Sequence, residues 1–210
     1  MGLLLLGLTL GSSVLDLDGV LVKSDWNRER GWRTFKRPGV DAFLRHMAQY
    51  YEVVVFTDQL ASYGDPILER LDPQRFVSYR LYRDATQYKK GAHVRSIAAL
   101  NRDPAKVIFL AALPSAVCSP PENALRVAPW ELQAEDTALL DLLPFLESMV
   151  RRNAPDTRAV LASYAAESAA TGKDVPTIFR ERSAAMAAWQ RSREGTQRGG
   201  LRGLGRKVAG

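Results

Sequence analysis

The sequence predicts an α/β fold built on a mainly parallel sheet. Three observations carry that prediction: short apolar runs rich in Val, Leu and Ile, helically spaced apolar stretches between them, and turn residues at the joints. At 210 residues the chain suits one domain with a sizeable core and a helical extension.

Taken in order, the apolar MGLLLLGL leads into SSVLDL (residues 12–17), a strand stopped by Gly19. That opening falls short of the roughly 20 apolar residues of a membrane span. It also lacks the basic leader and cleavage pattern of a signal peptide. VLVKS (20–24) and WRTFK (32–36) alternate apolar and polar residues around DWNRER, which predicts a hairpin excursion. Pro38-Gly39 ends it, and residues 40–51 carry apolar groups at helical spacing.

EVVVFT (52–57) is a short buried strand, and ASYGDPILERL (61–71) a turn and helix. FVSYRLYR (76–83) alternates as a strand does, and HVRSIAAL (93–100) reads as a helical turn or two. KVIFLA (106–111) and LRVAPW (125–130) are strands, and residues 134–152 an amphipathic helix. After Arg152 the chain turns Ala-rich, with helical stretches over 156–168 and 176–192. The Gly/Arg-rich end has too few apolar residues to order itself in isolation. The predicted organisation is a core over 10–150, a helical extension over 151–192 and a basic tail over 193–210.

Charge follows the same division. Residues 1–150 hold 17 Lys and Arg against 18 Asp and Glu, whereas residues 151–210 hold 12 against 5. The basicity therefore belongs to the C-terminal part. It suits carboxylates, phosphates or lipid head groups, and nothing in it points to a specific nucleic acid. The single cysteine, Cys118, excludes an intrachain disulfide and reads as a packing residue. His46 and His93 lack metal-ligand spacing, and Trp130 reads as packing.

In an open parallel sheet, ligands sit beyond the carboxyl ends of the strands. In LDLDGVLV, Asp16 and Asp18 flank one residue and share a face of an extended strand, and Gly19 lets the chain turn away. One carboxylate as nucleophile with a second to handle protons is a route to an aspartyl-phosphate. Thr57 ends a second strand. Ala111 and Ala112 end a third, and Pro114 is followed by Ser115, so that tip offers no carboxylate.

LDLDGVLV followed by VVVFT resembles the first two motifs of the haloacid dehalogenase superfamily of phosphatases. The resemblance implies a Rossmann-like core with a small hairpin insertion. It also implies nucleophile, acid/base and phosphate-binding roles for Asp16, Asp18 and Thr57. Arg95, in HVRSI, stands at the family's lysine. The acidic strand tip that helps to hold magnesium aligns with VIFLAALP, where alanines stand instead. The expectation is therefore a vestigial site: no catalysis from Asp16, Asp18, Thr57 and Arg95, and no cofactor, magnesium entering only if Asp16 and Asp18 suffice.

A narrower resemblance rests on KSDWNRERGWRTFKRPGVDAFL, YYEVVVFT, LDPQRFVSYRLYRDATQYKKGAHV, LNRDPAKVI and PPENALRVAPW, with DTRAVLASYA and DVPTIFRERSAA later. Together these resemble the presequence-receptor subunits of the mitochondrial inner-membrane translocase, whose domain is related to the phosphatases of the polymerase C-terminal tail. The resemblance implies a non-catalytic receptor or scaffold on the intermembrane-space side of the inner membrane. Its partners would be subunits of the membrane complex and basic amphipathic presequences, with attachment through partners or an anchor outside these residues. The alternatives are a protein phosphatase, or a structural subunit of another organellar complex, mitochondrial or in the chloroplast envelope. The charged hairpin is the candidate docking element, through Trp26, Arg28, Arg30, Trp32, Arg33 and Lys36.

Overall fold

Branched and aromatic residues gathered in runs of about five make the central strands, because such side chains fit a pleated, buried surface. The computed structural model describes residues 11–112 and 117–204. The expected start of the first strand in MGLLLLGL, Pro114-Ser115 and the end of the tail after Leu204 lie outside the described residues.

The main sheet has β1 (Gly11–Leu15) at its centre. β4 (Tyr51–Phe56) and then β5 (Tyr79–Leu81) follow on one side. On the other side lie β8 (Val107–Ala112) and β10 (Ala124–Val127). Every pairing in it is parallel, as the helical connections predict. β2 (Val22–Asn27) and β3 (Gly31–Lys36) form the expected antiparallel hairpin. A second small sheet joins β6 (Gln87–Lys89), β7 (Ala92–Ser96) and β9 (Val117–Ser119).

That small sheet corrects the reading of HVRSIAAL as helical. Its first half is β7, paired on one side with β6 and on the other with β9, and only Ile97–Leu100 forms a helical turn. Tertiary pairing overrides the local pattern there.

The core lies on both faces of the main sheet. Val14, Val54, Phe56, Phe109 and Ala111 cluster with Ile97 and Cys118. α1 (Val40–Met47) and α3 (Ala138–Arg151) pack together, α3 presenting Leu139, Leu142, Phe145, Leu146 and Met149 at helical spacing. The Tyr51 hydroxyl donates to the Leu146 carbonyl at 2.7 Å, fixing β4 to α3. α2 (Ala61–Leu71) follows β4. Beyond it, buried Asp72 accepts from the Phe76 and Val77 amides at 2.9 and 2.8 Å, shaping the turn into β5.

Two compact units are present, Met1–Ser163 and Tyr164–Gly210, dividing inside α4 (Thr157–Thr171). In the second, Arg182 lies 4.2 Å over the Tyr164 ring and pairs with Glu167, and Lys173 pairs with Glu181 at 2.7 Å. α5 runs Val175–Leu204 and is helical well into the basic tail, correcting the expectation of a segment without order. Extending a formed helix needs no new nucleus, and Gln, Arg and Leu favour it, against roughly 1 kcal/mol for each glycine. No helix among the described residues is long and apolar enough to cross a membrane.

One buried ion pair holds the base of the hairpin. Arg37, 1% exposed, meets Asp136 in a two-pronged bridge of 2.7 and 2.8 Å and donates to the Gly19 and Val20 carbonyls. Arg37→Ala takes the guanidinium away from the Asp136 carboxylate and from the Gly19 and Val20 carbonyls. It is expected to lower stability by about 3 kcal/mol, read from urea unfolding midpoints.

Candidate functional site

The register of β1 and β8 pairs Leu15 with Leu110, so one step further Asp16 stands beside Ala111 at the carboxyl end of the sheet. The Asp16 amide donates to the Leu110 carbonyl at 3.0 Å. β4 ends at Phe56, which delivers Thr57 to the same edge, its amide bonded to the Leu81 carbonyl. Arg95 arrives from β7. Asp16, Thr57 and Arg95 are all buried, at 3, 0 and 2% exposure. The expected site residues therefore come together.

The chain leaves β1 through Asp18 and Gly19. Gly19 has φ +78, a conformation that favours glycine, and a Cβ added there would lie 2.9 Å from the Ala112 methyl. The blank tip of β8 is thus filled space. Ala111 belongs to the apolar core cluster, and Ala112 packs on the turn that carries Asp18.

Arg95 supplies the positive charge at the centre. Its Nη2 donates to Asp16 Oδ1 at 3.1 Å and lies 3.4 Å from Asp58 Oδ1. Its Nε and Nη1 have no hydrogen-bond partner among the described residues. Burial pushes the Asp16 carboxyl up to about 7, against the pull of Arg95, and Asp58 and Asp18 add to the rise. The Asp18 carboxyl is also raised, chiefly by burial; the Tyr63 hydroxyl donates to its Oδ1 at 3.2 Å, and its Oδ2 has no partner among the described residues.

Magnesium asks for near-octahedral oxygen ligands, usually with carboxylates among them. Here a guanidinium nitrogen occupies one oxygen of Asp16, and methyl groups stand where β8 meets the site. Among the described residues no group of three or more His, Cys, Asp or Glu is placed to hold a metal. The residues do not fit the ion. His46 instead bonds Glu147 at 3.1 Å, and His93 bonds Thr86 at 2.8 Å. Cys118 is buried, its thiol pushed up to about 12 by burial and donating to the Pro120 carbonyl at 3.3 Å.

The hairpin stands apart from these acids but is wired to them. Trp26 and Trp32 pair across the strands and are 55 and 72% exposed, with Arg28, Arg30, Arg33 and Lys36 also exposed. Arg33 lies over the Phe35 ring at 5.6 Å, and Lys36 pairs with Asp41 at 2.6 Å. Trp130 is buried and donates to the Gln133 carbonyl at 2.9 Å. Between β3 and α2 lies a groove of about 260 Å³, with Val22, Phe35, Ile67 and Leu71 in its lining and Trp32, Lys36 and Arg70 beside them.

Sequence reasoning missed three contributors. Asp58 follows Thr57 directly, and its place one residue past a strand end was signal enough. Tyr63 bridges Asp18 to the hairpin through Ser24 at 2.5 Å, and Ser24 meets Thr34 at 2.8 Å. Arg37 holds the Gly19 carbonyl. No local pattern marks these last two.

Residues 12–158 match the model of the NLI interacting factor-like phosphatase family. An Arabidopsis thaliana protein named mitochondrial import inner membrane translocase subunit TIM50 is 48% identical over 81% of the chain and 44% of its own length. The Neurospora crassa protein of that name is 43% identical over 83% of the chain and 31% of its own length. The chain thus spans less than half of either relative. Among solved structures, Fcp1, described as an essential RNA polymerase II CTD phosphatase, shares the fold at a TM-score of 0.58. It is 16% identical, over 80% of this chain and 69% of that one.

A carboxyl that holds its proton longer in the folded chain than in the unfolded one stabilises at low pH. For Asp16 that contribution is full below its ordinary value of 3.8 and is lost as pH rises to about 7. Urea midpoints for the natural chain and Asp16→Asn across this window should show the natural chain losing roughly 4 kcal/mol relative to the variant as pH rises.

Proposed function

The chain belongs to the NLI interacting factor-like phosphatase family, and from that premise we propose that it is a non-catalytic docking subunit of the mitochondrial inner-membrane protein-import translocase. The place of work follows the names of its relatives at 48 and 43% identity. The absence of turnover follows from one observation: the would-be nucleophile Asp16 is ion-paired to buried Arg95 beside an apolar strand tip.

A phosphoryl group approaching Asp16 brings negative charge toward three carboxylates. Without a divalent cation, the buried positive charge that faces it among the described residues is Arg95, already shared between Asp16 and Asp58. Asp18, raised by burial, takes a hydrogen bond from Tyr63 on one of its two oxygens. The family fold is kept as a rigid frame, and its surfaces do the work.

The hairpin is the docking surface we assign. Two exposed indole rings carried on a short, braced ribbon suit the anchors of an interface, with arginines around them. The hairpin carries Lys23, Arg28, Arg30, Arg33 and Lys36 against Asp25 and Glu29. That balance suits an acidic or neutral surface of a complex subunit and disfavours a basic presequence, which needs an acidic rim. Presequences, where the chain meets them, belong to another face.

Purified chain with magnesium is expected to hydrolyse neither a small aryl phosphate nor a phosphopeptide faster than Asp16→Asn. Turnover that requires Asp16 overturns the non-catalytic reading. For docking, Trp26→Ala with Trp32→Ala should cut co-purification of translocase subunits from mitochondrial membranes by at least about tenfold, the loss of two interface anchors. Retention at the natural level removes the hairpin from the interface.

A further inference from the structure

We infer that Arg95 is the resident counter-ion of this site, a built-in cation that holds the small sheet to the main one where the fold otherwise asks for a metal. The inference deepens the non-catalytic reading and rests on it, but its test reads stability and metal binding, never turnover.

Three carboxylates come from separate places at the carboxyl end of the main sheet: Asp16 after β1, Asp18 on the following turn and Asp58 after β4. Asp16 is buried and Asp18 and Asp58 are half-buried. The buried acid with two acids beside it needs a compensating positive charge, since unpaired buried charge is costly. Arg95 is 2% exposed and reaches two of the three, at 3.1 and 3.4 Å. It belongs to β7, which among the described residues pairs with β6 and β9 and not with the main sheet. The ion pairs therefore cross from one sheet to the other. A guanidinium suits the task, being always charged and able to address two carboxylates at once.

The position also competes with a divalent ion. Asp16 Oδ1 is taken by the guanidinium, and β8 offers Ala111 and Ala112. A charge carried by the chain cannot be stripped by a chelator, so the fold should be indifferent to metal supply.

The test compares the full natural chain, Arg95→Met, and Arg95→Met with Asp16→Asn. Thermal melting is followed with magnesium chloride and with EDTA, and magnesium and manganese are titrated calorimetrically. The natural chain should melt at one temperature in both solutions and bind neither ion. Arg95→Met should melt roughly 10 °C lower, the loss of one partner of a buried pair in a domain of this size. Adding Asp16→Asn should recover most of that loss, because the acid that needed the cation is gone. Magnesium binding to the natural chain, or a shift of its melting by magnesium, overturns the inference, as does an Arg95→Met chain that melts where the natural one does. If Arg95→Met fails to fold, the double variant decides. Folding of the double variant supports a charge role, and its failure shows that Arg95 is needed for shape and overturns the inference.

Discussion

The buried contact between Asp16 and Arg95 is the constraint on which the rest of the site depends. Asp16 is fixed by β1 and by the Leu110 carbonyl, so it cannot turn toward water. Its charge has to be met in place or suppressed by protonation, and the structure does some of each: Arg95 is at hydrogen-bonding distance, yet burial still holds the carboxyl up near 7. Everything that faces Asp16 follows from this partial neutralisation. Asp58 shares the guanidinium, and Asp18 faces Tyr63 instead.

Around that contact the loops are held by polar side chains that cross between elements. Arg37 grips the Gly19 and Val20 carbonyls while paired to Asp136, so the turn after Asp18 is clamped from the foot of the hairpin. The Ser24–Tyr63–Asp18 chain makes a second tie from the hairpin strands to the same turn. A two-stranded ribbon is marginal on its own in water. These ties, with the packing of Val22, make this one part of the domain and give its exposed tryptophans a fixed platform.

Much of this was legible in the sequence. The parallel sheet followed from apolar runs alternating with helical periods, and the hairpin from alternation on either side of a polar tip. Asp16, Asp18 and Thr57 were legible because their spacing is local and strand ends are easy to place. Arg95 meets Asp16 from a strand whose sequence reads as helix, since β7 exists through pairing with β6 and β9, each three residues long and silent in pattern. Tyr63 and Arg37 were invisible for a similar reason, their partners lying 45 and 99 residues away. Asp58 was simply overlooked beside Thr57. The helical run of α5 into the Gly/Arg-rich segment shows composition to be a poor guide once a helix has been nucleated.

The contact between Gly19 and Ala112 has a historical consequence. A carboxylate introduced at Ala112 meets a turn already in contact with its methyl group, so accepting it shifts the backbone that places Asp18. Loss of Arg95 on its own strands Asp16 and Asp58 without a counter-charge. Each single step toward a metal-binding site is therefore a step downhill in stability, and only several changes made together cross the gap. A lineage that has reached this arrangement is caught behind an epistatic ratchet. Surface positions can change one at a time, while Asp16, Asp58, Arg95 and Ala112 are coupled and change together.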